Sequence, residues 1–174
     1  MSSTFQQGNV ERGGVEVAPV VHYGTDEFST LVEDVMAHRD ERTGARFLFH
    51  GGVREDRQQA LATLTRYATG NVHQFRMSSL LNEYRMQTQN NLRKAFDHAS
   101  EENALLYFDR ADPLFTHVHA DAPDEGETAA APTTLEYFFD RVIAYAGVVV
   151  LALQRKSHVE RARDHVHLVV RFDD

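Results

Sequence analysis

Leu105-Leu106-Tyr107-Phe108-Asp109-Arg110-Ala111-Asp112-Pro113-Leu114-Phe115 is the stretch on which the fold turns. Its first four residues are apolar without alternation, so a strand here needs both faces covered. Four more short runs share this character: Phe47-Leu48-Phe49, Val72 to Phe75, Val148 to Leu153 and Leu168 to Phe172. Helical spacing separates the first four of the five. Ala60, Leu61 and Leu64 mark one helix, and Leu92, Ala95, Phe96 and Ala99 a second. Leu135, Phe138, Phe139, Val142 and Ile143 mark a third. Continuous apolar strands interleaved with helices predict a five-stranded parallel sheet with helices on both faces, a three-layer α/β fold.

Upstream of this core, Phe28, Leu31, Val32, Val35 and Met36 fall on one face of a helix that Thr25 or Asp26 can cap. Val15 to Val21 leans toward β structure, but Pro19 confines it to an edge or a loop. Residues 1–14 are polar and rich in Gly, Ser and Gln. The expected organisation is a flexible tail over 1–24 and one domain over 25–174. Within that domain residues 116–133, THVHADAPDEGETAAAPT, are acidic and aperiodic, which predicts a mobile loop.

Composition narrows the function. The 174 residues suit one domain, and 42% hydrophobic content is enough for a buried core. A net charge of −8 argues against a nucleic-acid backbone or an anionic membrane as partner. Arg outnumbers Lys heavily, yet the Arg residues are dispersed rather than gathered into a patch. The absence of Cys excludes disulfides, thiolate metal sites and cysteine nucleophiles. No apolar run approaches the ~20 residues that span a bilayer, and MSSTFQQGNVERGG carries no signal pattern, so a soluble, cytoplasmic protein is expected.

The C-terminal ends of parallel strands are where such folds place their sites. After the first core strand the chain reads Phe49-His50-Gly51-Gly52-Val53-Arg54-Glu55-Asp56-Arg57-Gln58, and after the third Phe108-Asp109-Arg110-Ala111-Asp112. Between them come Ser78-Ser79-Leu80-Leu81-Asn82-Glu83-Tyr84 and Asn91-Leu92-Arg93, then Phe96-Asp97 and Ala99. Over residues 28–172 this order resembles the large α/β subdomain of AAA+ ATPases, a P-loop NTPase fold. In particular it looks like the AAA+ proteins that accompany contractile injection particles. The family's small helical lid, which would follow the last strand, has no counterpart in the sequence.

On the P-loop pattern G-x-x-x-x-G-K-[ST], Gly51 and Gly52 stand at the start, Asp56 replaces the second Gly, Arg57 the Lys and Gln58 the hydroxyl residue. Glu55 and Asp56 would face phosphate, where each like-charge pair at ~4 Å costs about 1–4 kcal/mol. In the Walker B position Asp109 fits a Mg²⁺-orienting acid. Arg110 stands where the resemblance requires a general base, whose loss costs about 10²–10⁴ in rate. Gln154 takes the place of sensor 1, and Asp164-His165 that of the arginine finger, unless Arg161 or Arg163 substitutes. At the pore-loop position Tyr84-Arg85-Met86 keeps only the aromatic.

The resemblance, with its site altered at four places, implies a catalytically inactive AAA+ ATPase-like protein. Such a pseudo-ATPase would be a structural or assembly component of a contractile, phage-tail-like particle. It would need no cofactor, and Asp109 would be the remaining Mg²⁺ ligand if any is kept. Its partners would be proteins, other AAA+ subunits or particle components, in an oligomer, with neither nucleic acid nor membrane. Two alternatives stay open. In one, Arg57 and Asp109 hold ATP or ADP without turnover, as a regulatory module. In the other, a divergent ATPase uses Glu55, Asp56 or Asp112 as base. Two histidine pairs complete the candidates. His117 and His119, near Asp121 and Asp124, have metal-ligand chemistry but sit in the acidic loop. His165 and His167, at or entering the last strand, suit a structural role.

Overall fold

The computed structural model describes residues 11–12, 15–39, 43–68, 70–121 and 132–173. A two-stranded antiparallel ribbon, β1 (Glu11–Arg12) and β2 (Val15–Glu16), precedes the main sheet. That sheet contains β3 (Val20–His22), β4 (Ala45–His50), β5 (Val72–Arg76), β6 (Leu105–Asp109), β7 (Val148–Leu153) and β8 (Leu168–Arg171), in the order β3-β8-β4-β7-β6-β5. Every pairing is parallel. The helices are α1 (Asp26–Ala37), α2 (Arg54–Thr65), α3 (Arg85–Glu101), α4 (Pro113–Thr116), α5 (Thr134–Ala144) and α6 (Lys156–Ala162). Short 3-10 turns lie at Met77–Ser79 and Arg163–His165.

The sheet therefore has six strands, not five. The extra strand, β3, comes from the stretch assigned to the tail. Val20 and Val21 pair with Val169 and Val170 of β8, and Val17, Ala18 and Val21 are buried. Pro19 is tolerated because it precedes an edge strand, and its carbonyl still accepts the N–H of Val169 at 2.9 Å.

Alternate residues of the strands feed two cores. On one face Phe47, Phe49, Leu105, Tyr107, Val150 and Val170 meet α1 and α2 through Phe28, Val32, Leu61 and Leu64. On the other Leu48, Leu106, Phe108, Val149, Leu151 and Val169 meet the remaining helices through Leu92, Phe96, Leu114, Phe138 and Val159. Both faces are apolar, which is why these strands read as continuous runs. Phe108 anchors the second core, with the rings of Phe96, Phe138 and Phe75 at 5.4, 5.1 and 6.1 Å. Ile143, expected on the buried face of α5, is instead 48% exposed. Thr133 and Glu136 start α5 with a reciprocal capping box, each backbone N–H donating to the other's side chain at 3.1 Å.

At the N-terminal end of the strands, opposite their C-terminal loops, Arg46 organises the approach to β8. Its Nε donates to His165 O at 2.8 Å, and its backbone N–H donates to His167 Nδ1 at 3.0 Å. Burial, then the Arg46 charge, pushes the His167 imidazole down to about 4. The neutral ring is the one that can accept this bond. His165 and His167 thus lie just before β8, at the entry to the last strand.

The segment expected as a mobile acidic loop begins as ordered structure. Thr116 closes α4, and Ala120 and His119 are buried. Residues 122–131 lie outside the described residues, as do residues 1–10 of the expected tail.

Candidate functional site

The loop after β4 has the backbone of an anion cradle. Gly51 and Gly52 adopt φ +75° and +79°, conformations that favour glycine. A Cβ at Gly52 would in addition run into Phe172. Gly51 N–H is already committed to Leu153 O at 3.0 Å, tying the loop to β7. Helix α2 begins directly after this loop, so its unpaired N–H groups and the positive end of its dipole face the same place.

The chain itself fills that place. Arg57, in the first turn of α2, is 6% exposed and folds back onto the loop. Its Nη1 donates to Gly52 O, with Gly51 O a further 3.4 Å acceptor, and its Nη2 lies 3.9 Å from Asp109 Oδ1 at the end of β6. The Tyr107 hydroxyl donates to the same Asp109 oxygen at 3.2 Å. Burial, then the Asp109 charge, pushes the Tyr107 phenol up to about 12, so it stays a donor. Glu55 and Asp56 place two carboxylates in the first turn of α2, where they complement the helix dipole. Gln58 turns to Gln74 of β5 at 3.4 Å.

The second acidic position after β6 is a fastener. Asp112 Oδ1 accepts the Gln154 N–H at 2.8 Å, while Oδ2 accepts the Arg155 N–H at 3.0 Å and faces His158 Nδ1 at 2.7 Å. The loops after β6 and β7 are thereby locked together. His158 is in turn stacked on Phe115, with centroids 4.8 Å apart and planes 9° apart. Gln154 takes part through its backbone and is otherwise exposed. Arg110, at φ +46°, is exposed at the turn.

The remaining sequence candidates lie elsewhere. Asp164 is exposed in the 3-10 turn after α6, and His165 stacks on Phe139 of α5 at 4.3 Å. Arg161 pairs with Asp121 and lies 5.6 Å over the Phe115 ring, and Arg163 Nε donates to Ala18 O at 2.7 Å. Both arginines considered as stand-ins for a finger are engaged within the chain. Phe115, Asp121, Glu136, Phe139, Arg161 and His165 line a cavity of about 400 Å³ between α4, α5 and α6, away from the β4 loop.

Tyr84-Arg85-Met86 opens α3. Tyr84 holds the N-cap position, and Arg85 is buried, donating to Pro132 O at 3.4 Å. Tyr84 and Met86 are 67% and 64% exposed. His117 and His119 bind backbone instead of presenting a chelate: His117 Nε2 meets Asn82 O at 2.8 Å and His119 Nε2 meets Glu83 O at 2.6 Å. Asp124 lies outside the described residues. A cluster that sequence reading missed is His73, His98 and Glu102, brought together by β5 and the end of α3. The i, i+4 spacing of His98 and Glu102 is visible in sequence, but the contribution of His73 is not.

No family model matches the sequence, and no curated protein matches it. Among solved structures the chain is similar to one in the E. coli MS115-1 HORMA:CdnC:Trip13 complex, with a TM-score of 0.54 and 14% identity. The match covers 86% of this chain and 62% of the solved one, so the chain spans less than two thirds of that neighbour's length. At this identity the likeness concerns the fold alone. These findings correct the expected membership of the AAA+ ATPases and the expected contractile-injection setting. No family model supports the first, and the solved neighbour belongs to a HORMA-containing complex rather than an injection particle. The physical reason lies in the motif positions, where Arg57 binds Gly52 O and Asp109 while Asp112 binds the backbone after β7. No helix among the described residues is long and apolar enough to cross a membrane.

Proposed function

We propose that this chain is a non-catalytic structural or assembly module that works by contacting other proteins, on a three-layer α/β scaffold whose glycine loop after β4 is filled from within. The observation that carries this reading is the seating of Arg57 between the Gly51-Gly52 carbonyls and Asp109. A phosphate entering there would have to displace a buried guanidinium from its partners and approach Glu55 and Asp56. Asp109 and Asp112, the acids a hydrolytic site would draw on, are both engaged by donors of this chain.

Protein contact is supported by a surface that the fold builds deliberately. The clamps from His117 and His119 to residues 82 and 83 hold Val118, 70% exposed, beside the loop that leads into Tyr84 and Met86. Exposed aromatic and Met side chains at the start of α3, beside an ordered loop, have the composition of protein interfaces. The occurrence of the solved neighbour in a multi-protein complex agrees with this. A phosphate-release assay with millimolar ATP and Mg²⁺ tests the reading. The expected rate equals the protein-free blank. A Mg²⁺-dependent rate that Asp109→Ala abolishes overturns it.

A further inference from the structure

We infer that His73, His98 and Glu102 form a binding site for a divalent transition metal, with zinc the best-matched ion, that staples the end of α3 to the sheet-edge strand β5. Each residue offers one ligand atom, and the three atoms lie within 4.8 Å of one another. Tetrahedral zinc with bonds of about 2.1 Å needs ligand atoms roughly 3.4 Å apart. To meet that spacing the Glu102 oxygen, now in contact with His73 Nε2, moves outward and the His98 ring moves inward, and both belong to exposed side chains. The side chain of His73 is 14% exposed, whereas those of His98 and Glu102 are 65% and 45% exposed and can change rotamer freely.

The backbone beneath the site is fixed. His73 sits inside β5, opposite Leu106 of β6. The end of α3 is held by the Ala104 N–H donating to Ala99 O at 2.9 Å and by Asn71 Nδ2 donating to Glu102 O at 3.4 Å. His98 and Glu102 are four residues apart at the end of α3, so they project on one side, toward His73. The contact between His73 Nε2 and Glu102 accounts for those two residues alone. It does not account for the His98 ring, which stands 5.1 Å from the His73 ring although its own side is open to solvent. A metal ion gives all three a common partner. Glu101, 4.0 Å from His98 Nδ1, is placed to orient that ring from outside.

The donor set selects the ion. Two imidazole nitrogens and one carboxylate oxygen suit zinc and its neighbours, while Mg²⁺ and Ca²⁺ prefer oxygen throughout. Three protein ligands leave a fourth position for water or for a donor from another molecule at this sheet edge.

Titration of the full chain with Zn²⁺ by calorimetry, alongside thermal unfolding, tests the site. The expected result is one Zn²⁺ per chain and a rise in Tm of several degrees, with no rise for Mg²⁺. His98→Ala and Glu102→Gln change exposed side chains, so both variants fold, and each weakens Zn²⁺ binding at least about tenfold. Absence of binding at 100-fold molar excess overturns the inference. So does binding that is unchanged in both variants, which would assign the ion to others of the ten histidines.

Discussion

Arg57→Ala lowers the unfolding free energy by about 2–4 kcal/mol, read from the midpoint of urea denaturation. The substitution leaves helix α2 intact, because Ala is the better helix former and Val53 remains as its cap. What it removes is a guanidinium donor to Gly52 O, together with the cation beside Asp109. A buried carboxylate that loses its partner costs about 3–5 kcal/mol when fully enclosed. The Asp109 side chain is 23% exposed and keeps the Tyr107 hydroxyl, which puts the expected loss toward the lower part of that range. Arg57→Lys recovers part of it, since one ammonium can meet either the carbonyl or the carboxylate but lacks the fork that meets both. A change below about 0.5 kcal/mol for Arg57→Ala, the level of an ordinary surface substitution, would mean that the guanidinium is not holding the loop.

Asp112→Ala is the second large effect, with an expected loss of about 3 kcal/mol in the same measurement. Hydrogen bonds to a charged acceptor contribute about 1.5–3 kcal/mol each, and contributions within one network are not additive. Three donors converge on this carboxylate, two of them backbone N–H groups of Gln154 and Arg155 at the end of β7. In Asp112→Ala both N–H groups lose this acceptor. Asp112→Asn discriminates between the roles of charge and shape. It keeps an acceptor for one N–H but presents an amide that cannot accept all three donors, so about half the loss remains. Equal stability of Asp112→Ala and the unaltered chain would remove this residue from the account and reopen it as a candidate base.

The layers of the fold are legible because each strand is apolar on both faces. Leu105 to Phe108 and Val148 to Leu153 could only be central strands, and the spacings of Leu92, Phe96 and Ala99 could only be a helix lying on them. The sixth strand was hidden by its shortness and by Pro19, since an edge strand of three residues has too few positions to show a period. Helix α6 was hidden for a related reason: only His158, Val159 and Ala162 of its seven residues are buried. At the site, the positions of Gly51, Gly52, Arg57 and Asp109 could be read from spacing, whereas what Arg57 does there could not. A guanidinium after a glycine pair serves equally to receive a phosphate or to replace one, and the choice depends on whether Asp109 stands 3.9 Å away. The same limit applies to His73, which lies 25 residues before His98 and meets it only through the packing of α3 beside β5.

Layer-building residues are an incomplete guide to family and function. Residues such as Leu92, Phe96, Leu106 and Phe108 build the layers, and they recur wherever a helix covers a parallel sheet. The residues that would carry the chemistry are the ones in which this chain departs.

The most direct measurement is thermal unfolding of the full chain with and without 5 millimolar ATP and Mg²⁺, a concentration taken as roughly 100 times a typical nucleotide Kd. A ligand at that excess adds about 2.7 kcal/mol, which for a domain of this size raises Tm by roughly 5–10 °C. With Arg57 seated on Gly52 and Asp109, the expected shift is nil. A rise of several degrees that Arg57→Ala abolishes would show the cradle open to phosphate, with Arg57 as a ligand rather than a plug, and would contradict the account.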